Sequence, residues 1–126
     1  MELPQITNSN LSAFLDRAEI IQETACQIMK DFGMFGIEIS FSGNIDNAYQ
    51  ELHQQLITQI SRYLEKDYGR LMSVLYQVDI TEREIEKASR ELPHYNQLEV
   101  LAHQVIHREL KKVLFRKYYK AKSEER

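Results

Sequence analysis

A chain of 126 residues, 43% hydrophobic and 28% charged, has the composition of a globular domain and excludes a disordered chain. The length fits one domain spanning residues 1–126, large enough to bury a core without a metal or a disulfide, and the lone cysteine, Cys26, excludes an internal one. Four glycines and two prolines are too few for the turns of an all-β fold, and no stretch approaches the roughly 18 apolar residues of a membrane span.

In chain order, Pro4 belongs to an extended start, and Asn8, Ser9 and Asn10 are candidate caps for a first helix. Leu11, Phe14, Leu15, Ala18, Ile21, Ala25, Ile28, Met29 and Phe32 recur at spacings of three and four and carry that helix to Asp31 or Phe32. Cys26 reads as a small thiol buried in this pattern, and Gly33 and Gly36 end it.

The period then changes. Phe35, Ile37, Ile39 and Phe41 alternate with small or polar residues, which predicts a strand over Phe35–Phe41. Its backbone needs partners. Gln5–Thr7, a second short strand at Tyr76–Ile80 and the same strand of a second subunit are the candidates; an extended segment lying over helices is the alternative.

Asn44 or Asp46 caps a second helix, with Ala48, Tyr49, Leu52, Leu56, Ile60, Tyr63 and Leu64 on one face and an end near Lys66. A third spans about Tyr68 to Gln77 and buries Leu71, Met72 and Leu75, with Gly69 leaving open a single kinked helix instead. Thr81 and Glu84 form a capping box for a short charged helix that ends before Pro93. Asn96 and Glu99 open the last helix, whose stripe of Leu98, Leu101, Ala102, Val105, Ile106, Leu110, Val113 and Leu114 runs to about Tyr119, with 121–126 frayed. The expected fold is mainly α: a bundle of about five helices with one or two short strands.

The net charge of -3 is unevenly spread. Residues 1–107 hold 16 acidic against 8 basic side chains, whereas residues 108–126 hold 3 against 8. The basic end is interleaved with Phe115, Tyr118 and Tyr119, a pattern that can bind single-stranded nucleic acid by backbone attraction and stacking. Positive residues at a helix C-terminus also complement the dipole, or pair with the acidic body.

His103 and His107, four residues apart, can share one metal ion, with Glu99 one turn earlier as a third ligand. Gln104 stands where a zinc protease motif needs glutamate. On the helical wheel both histidines lie at the edge of the apolar stripe. Glu109 falls in the middle of it and calls for a cation, with Arg17, Arg62 or Arg70 as candidates for a structural ion pair.

No motif names a reaction. The leading expectation is a cytoplasmic, non-enzymatic protein without a cofactor, acting through protein contacts as a homodimer. Phe35, Phe41, Phe115, Tyr118 and Tyr119 are its interaction residues. The alternatives are a metal site at His103 and His107 and a nucleic-acid accessory protein using the basic C-terminal helix.

Overall fold

The computed structural model describes residues 18–124, with the side chains of Tyr118 and of residues 120–124 outside that description. The expectations for the 8–10 cap, for Gln5–Thr7, for Arg17 and for the Tyr118 ring lie outside it too. Five helices are described: α1 (Ala18–Gly33), α2 (Ala48–Lys66, preceded by a 3-10 turn at Ile45–Asn47), α3 (Tyr68–Val78), α4 (Glu82–Glu91) and α5 (Gln97–Glu124). None is long and apolar enough to cross a membrane.

The helix boundaries follow local chemistry. Asn44 accepts from the Asp46 amide at 3.1 Å to start the 3-10 turn that leads into α2. The chain breaks at Asp67, not at Gly69: the Asp67 backbone leaves the helical conformation and its carboxylate accepts from the Arg70 amide at 3.1 Å, so α2 and α3 are two helices. Thr81 accepts from the Glu84 amide at 3.2 Å, and the Glu84 carboxylate returns to the Thr81 hydroxyl. At Asn96 the box closes fully, with Glu99 N donating to Asn96 Oδ1 at 2.9 Å and Asn96 N to Glu99 Oε1 at 3.0 Å. Helix α5 continues to Glu124, five residues beyond the expected end.

The core is one cluster drawn from α1 (Ile21, Ile28, Phe32), α2 (Leu52, Leu56, Ile60), α3 (Leu71, Val74) and α5 (Val105, Ile106, Leu110, Val113). Helices α1 and α5 are antiparallel. Asp31 meets Lys112, Gln27 meets Arg116, and Glu23 and Glu19 both meet Lys117, so the numbering rises on one helix as it falls on the other. Helix α4 buries only Ala88 and turns its charged side outward.

Among the described residues there is no strand. At Phe35–Phe41 the alternation correctly separates buried Ile37 and Ile39 from exposed Glu38 and Ser40, but the segment is extended chain laid on α2. Gly36, at φ 73, turns the chain out of α1. Side chains one turn apart on α2 then serve as the missing neighbouring strand. Gln59 Nε2 donates to Glu38 O at 2.8 Å, and Gln55 bonds both Ser40 O at 2.6 Å and Ser40 N at 2.9 Å. Glu51 takes Ser42 N at 2.8 Å. Gln55→Ala removes the central rung and is expected to cost about 1 kcal/mol of unfolding free energy. Amide exchange should show faster exchange at Ser40 with α5 unchanged; unaltered protection would contradict this account.

The second expected strand, Tyr76–Ile80, is the end of a helix. Asp79 adopts the left-handed conformation at φ 69, and the Ile80 amide bonds Leu75 O at 3.2 Å, the wrap that closes a helix C-terminus. The apparent alternation comes from Val78 and Ile80 folding inward on either side of that cap. Asp79 is held there by Arg108 at 2.7 Å.

Candidate functional site

Glu109 projects from α5 into the core and is 0% exposed. Among the described residues its charged neighbours are Lys112 and Asp31, not Arg62 or Arg70. Lys112, one turn along the same helix, places Nζ 3.1 Å from Glu109 Oε1 and 3.4 Å from Asp31 Oδ2. Asp31, itself buried on α1, lies within hydrogen-bonding reach of Glu109 and takes Gln27 Nε2 at 3.2 Å.

Two carboxylates and one ammonium in the core leave a surplus negative charge, which a proton removes. Burial pushes Glu109 up to about 9, and the bond to Asp31 adds to the shift. Burial alone would raise Asp31 as well, but the bond from Glu109, the Gln27 amide and Lys112 hold it below its ordinary value. Treated as a carboxylate, Glu109 has no well-aligned donor to either oxygen; protonated, it donates to Asp31. The group thus reads as a neutral acid bonded to an ionised one beside a lysine. With both acids buried, the cluster fastens α1 to α5.

His103 and His107 are buried on α5, deeper than the stripe edge where the sequence places them. His103 Nδ1 lies 2.5 Å from Tyr49 OH, which in turn is 3.4 Å from Tyr95 OH. The contact suits a neutral His103 that carries its proton on Nε2 and accepts from Tyr49. His53 stacks on Tyr49 and reaches Glu99 O at 3.0 Å. His107 Nδ1 is buried without a hydrogen-bond partner. Burial, then the nearby His107 and His53, push His103 down to about 4. His107 is likewise near 4 through burial, with Lys111 and Arg108 adding to the effect and Glu84 and Glu91 opposing it. Burial also raises the Tyr49 phenol.

The two imidazoles have ring centroids 6.3 Å apart, and the Glu99 carboxylate is turned back to the Asn96 amide. Among the described residues no group of three or more His, Cys, Asp or Glu side chains converges to hold a metal ion. The His103 ring packs against Tyr49 of α2 and against Tyr95.

Of the eight basic residues in 108–126, four are engaged by the same chain. Arg108 pairs with Asp79, Lys112 with the two buried acids, Arg116 with Gln27 at 3.0 Å, and Lys117 with Glu19 and Glu23. Phe115 and Tyr119 stack on each other at the surface, with centroids 6.4 Å apart. Phe35 and Phe41 are half-buried against the core. Cys26 is exposed, contrary to the expectation of a buried thiol, while Thr24 occupies an inward position and bonds Ile20 O.

The strongest surface feature is one the sequence reading passes over. Helix α3 holds a single charged residue, Arg70, among eleven, whereas α4 holds seven among ten. Its inner face is Leu71, Val74, Leu75 and Val78. Tyr68, Met72 and Tyr76, successive at spacing four, are 59%, 38% and 88% exposed. Met72 therefore faces outward and not into the core as expected. A helix face of tyrosine and methionine without charge has the composition of an interface centre.

Comparison of the chain with protein-family models, with curated proteins and with solved structures finds no match.

Proposed function

We propose that this chain acts through protein–protein contacts and not by catalysis, as a homodimer that uses the outer face of α3. The observation that carries the reading is the uncharged Tyr68, Met72 and Tyr76 stripe, three large side chains held out from the core on a rigid helix. Large contiguous apolar surface costs free energy in water, and on small proteins it most often marks a contact site. The buried polar groups support the same reading from the other side: the acid pair and the histidine cluster are consumed in holding helices together.

Light scattering of the full chain at micromolar concentration is expected to give twice the chain mass. Tyr68→Lys with Tyr76→Lys should return a monomer with an unchanged helical spectrum, because neither ring is packed in the core. A monomeric native chain would remove the reading.

A further inference from the structure

The stripe is symmetric about its own centre. Read in either direction along α3, it is tyrosine, methionine, tyrosine at equal spacing of four residues. A surface used in a two-fold dimer must be complementary to itself, so that residue i meets j' and j meets i'. We infer that the partner of this face is a second copy of the same helix, crossing antiparallel on a two-fold axis at Met72. This rests on the homodimer reading above and adds to it the partner surface and its register.

In that arrangement Met72 lies against Met72 of the second copy, and Tyr68 of each copy covers Tyr76 of the other. Thioether and aromatic groups then meet at the middle, where their contact is favourable. Gly69 and Ser73, the small residues flanking Met72, leave room for the two helices to approach. A parallel pairing would instead set each tyrosine against its own copy.

The area is consistent with a dimer of modest size. At ordinary aromatic side-chain areas the exposed parts of the three residues amount to about 400 Å² per copy. Two copies supply roughly 800 Å², and the flanking Gly69, Ser73 and Gln77 bring the total to the ~1,000 Å² that a specific interface requires. Charge does not oppose the approach, because Arg70, the one ionised group of α3, is directed to Asp67 at 3.2 Å and over the Tyr63 ring.

Cysteine cross-linking of the full chain reads the register directly. The exposed native thiol is first removed by Cys26→Ser, and single cysteines are then placed on the surface. Under mild oxidation Met72→Cys is expected to form a disulfide-linked dimer at least tenfold faster than the control Arg83→Cys on α4. Tyr68→Cys and Tyr76→Cys proteins should cross-link to each other when mixed and each fail to link to itself, which tests the same register without altering Met72. Self-linking of Tyr68→Cys and of Tyr76→Cys would overturn the antiparallel arrangement. A dimer by light scattering whose 72 and mixed 68/76 positions stay reduced would overturn the site while leaving the homodimer standing.

Discussion

Glu109→Gln is expected to raise the unfolding free energy by about 5 kcal/mol at pH 8, and Lys112→Met to lower it by about 3 kcal/mol. Both follow from the neutral acid buried beside Asp31. In the folded chain Glu109 keeps its proton up to about 9, whereas the unfolded chain releases it near 4.5. Between those values the folded state binds the extra proton, so stability falls as pH rises. Each pH unit in the window costs about 1.4 kcal/mol.

Glutamine has the shape of the protonated acid and an amide donor for Asp31, but nothing to deprotonate, so the penalty disappears. The difference between variant and native chain should therefore be near zero at pH 4.5 and widen steadily to pH 9. Lys112→Met acts in the opposite direction, leaving ionised Asp31 in the core with only the neutral donors Gln27 and protonated Glu109. In the Glu109→Gln background its cost should be about the same, since the amide replaces the bond that protonated Glu109 gives Asp31. Denaturant unfolding of the four proteins across this pH range measures the whole cycle. A variant gap that does not change with pH would show that Glu109 is ionised in the fold, and the assignment of the proton would be wrong.

The same acid shows how far periodicity reaches. Its angular position between Leu98, Val105 and Val113 is enough to place Glu109 in the core. Its partners are not legible, because Lys112 looks like one more cation on a basic helix, and Asp31 closes a pattern read as a helix end. The caps at Thr81 and Asn96 are legible because the bonds lie within four residues of sequence. At Phe35–Phe41 the alternation tells which side chains are buried and nothing about where the backbone amides go. The spacing of Glu51, Gln55 and Gln59 on α2 was visible, yet only tertiary structure shows it aimed at an extended neighbour. Periodicity assigns Met72 to the wrong face for a related reason. Helix α3 has apolar residues on both faces, and a periodic pattern cannot say which face is inside when the other is not marked by charge.

Acid should destabilise the fold through His103 and His107, but the effect is hidden in the native chain. Both imidazoles are neutral in the fold down to about 4, while in the unfolded chain they take up protons near 6.5. Below 6.5 the unfolded state binds more protons, so stability falls as pH falls, and it levels off once the folded imidazoles also titrate. From pH 7 to pH 5 the two together remove about 3 kcal/mol. Glu109 works against this over the same interval, because its penalty shrinks as the unfolded carboxylate approaches its own protonation. The native chain is therefore expected to show nearly level stability from pH 7 to pH 5. In Glu109→Gln the histidine slope should emerge in full, as a loss of about 3 kcal/mol. Adding His107→Leu should halve it, with no hydrogen bond lost at Nδ1. His103→Gln should remove most of the remainder, with some loss at pH 7 from the Tyr49 contact. If Glu109→Gln stays level between pH 7 and pH 5, the two histidines are not held neutral by burial. If the slope emerges and only His103→Gln reduces it, His107 reaches solvent and its unpartnered nitrogen is satisfied by water.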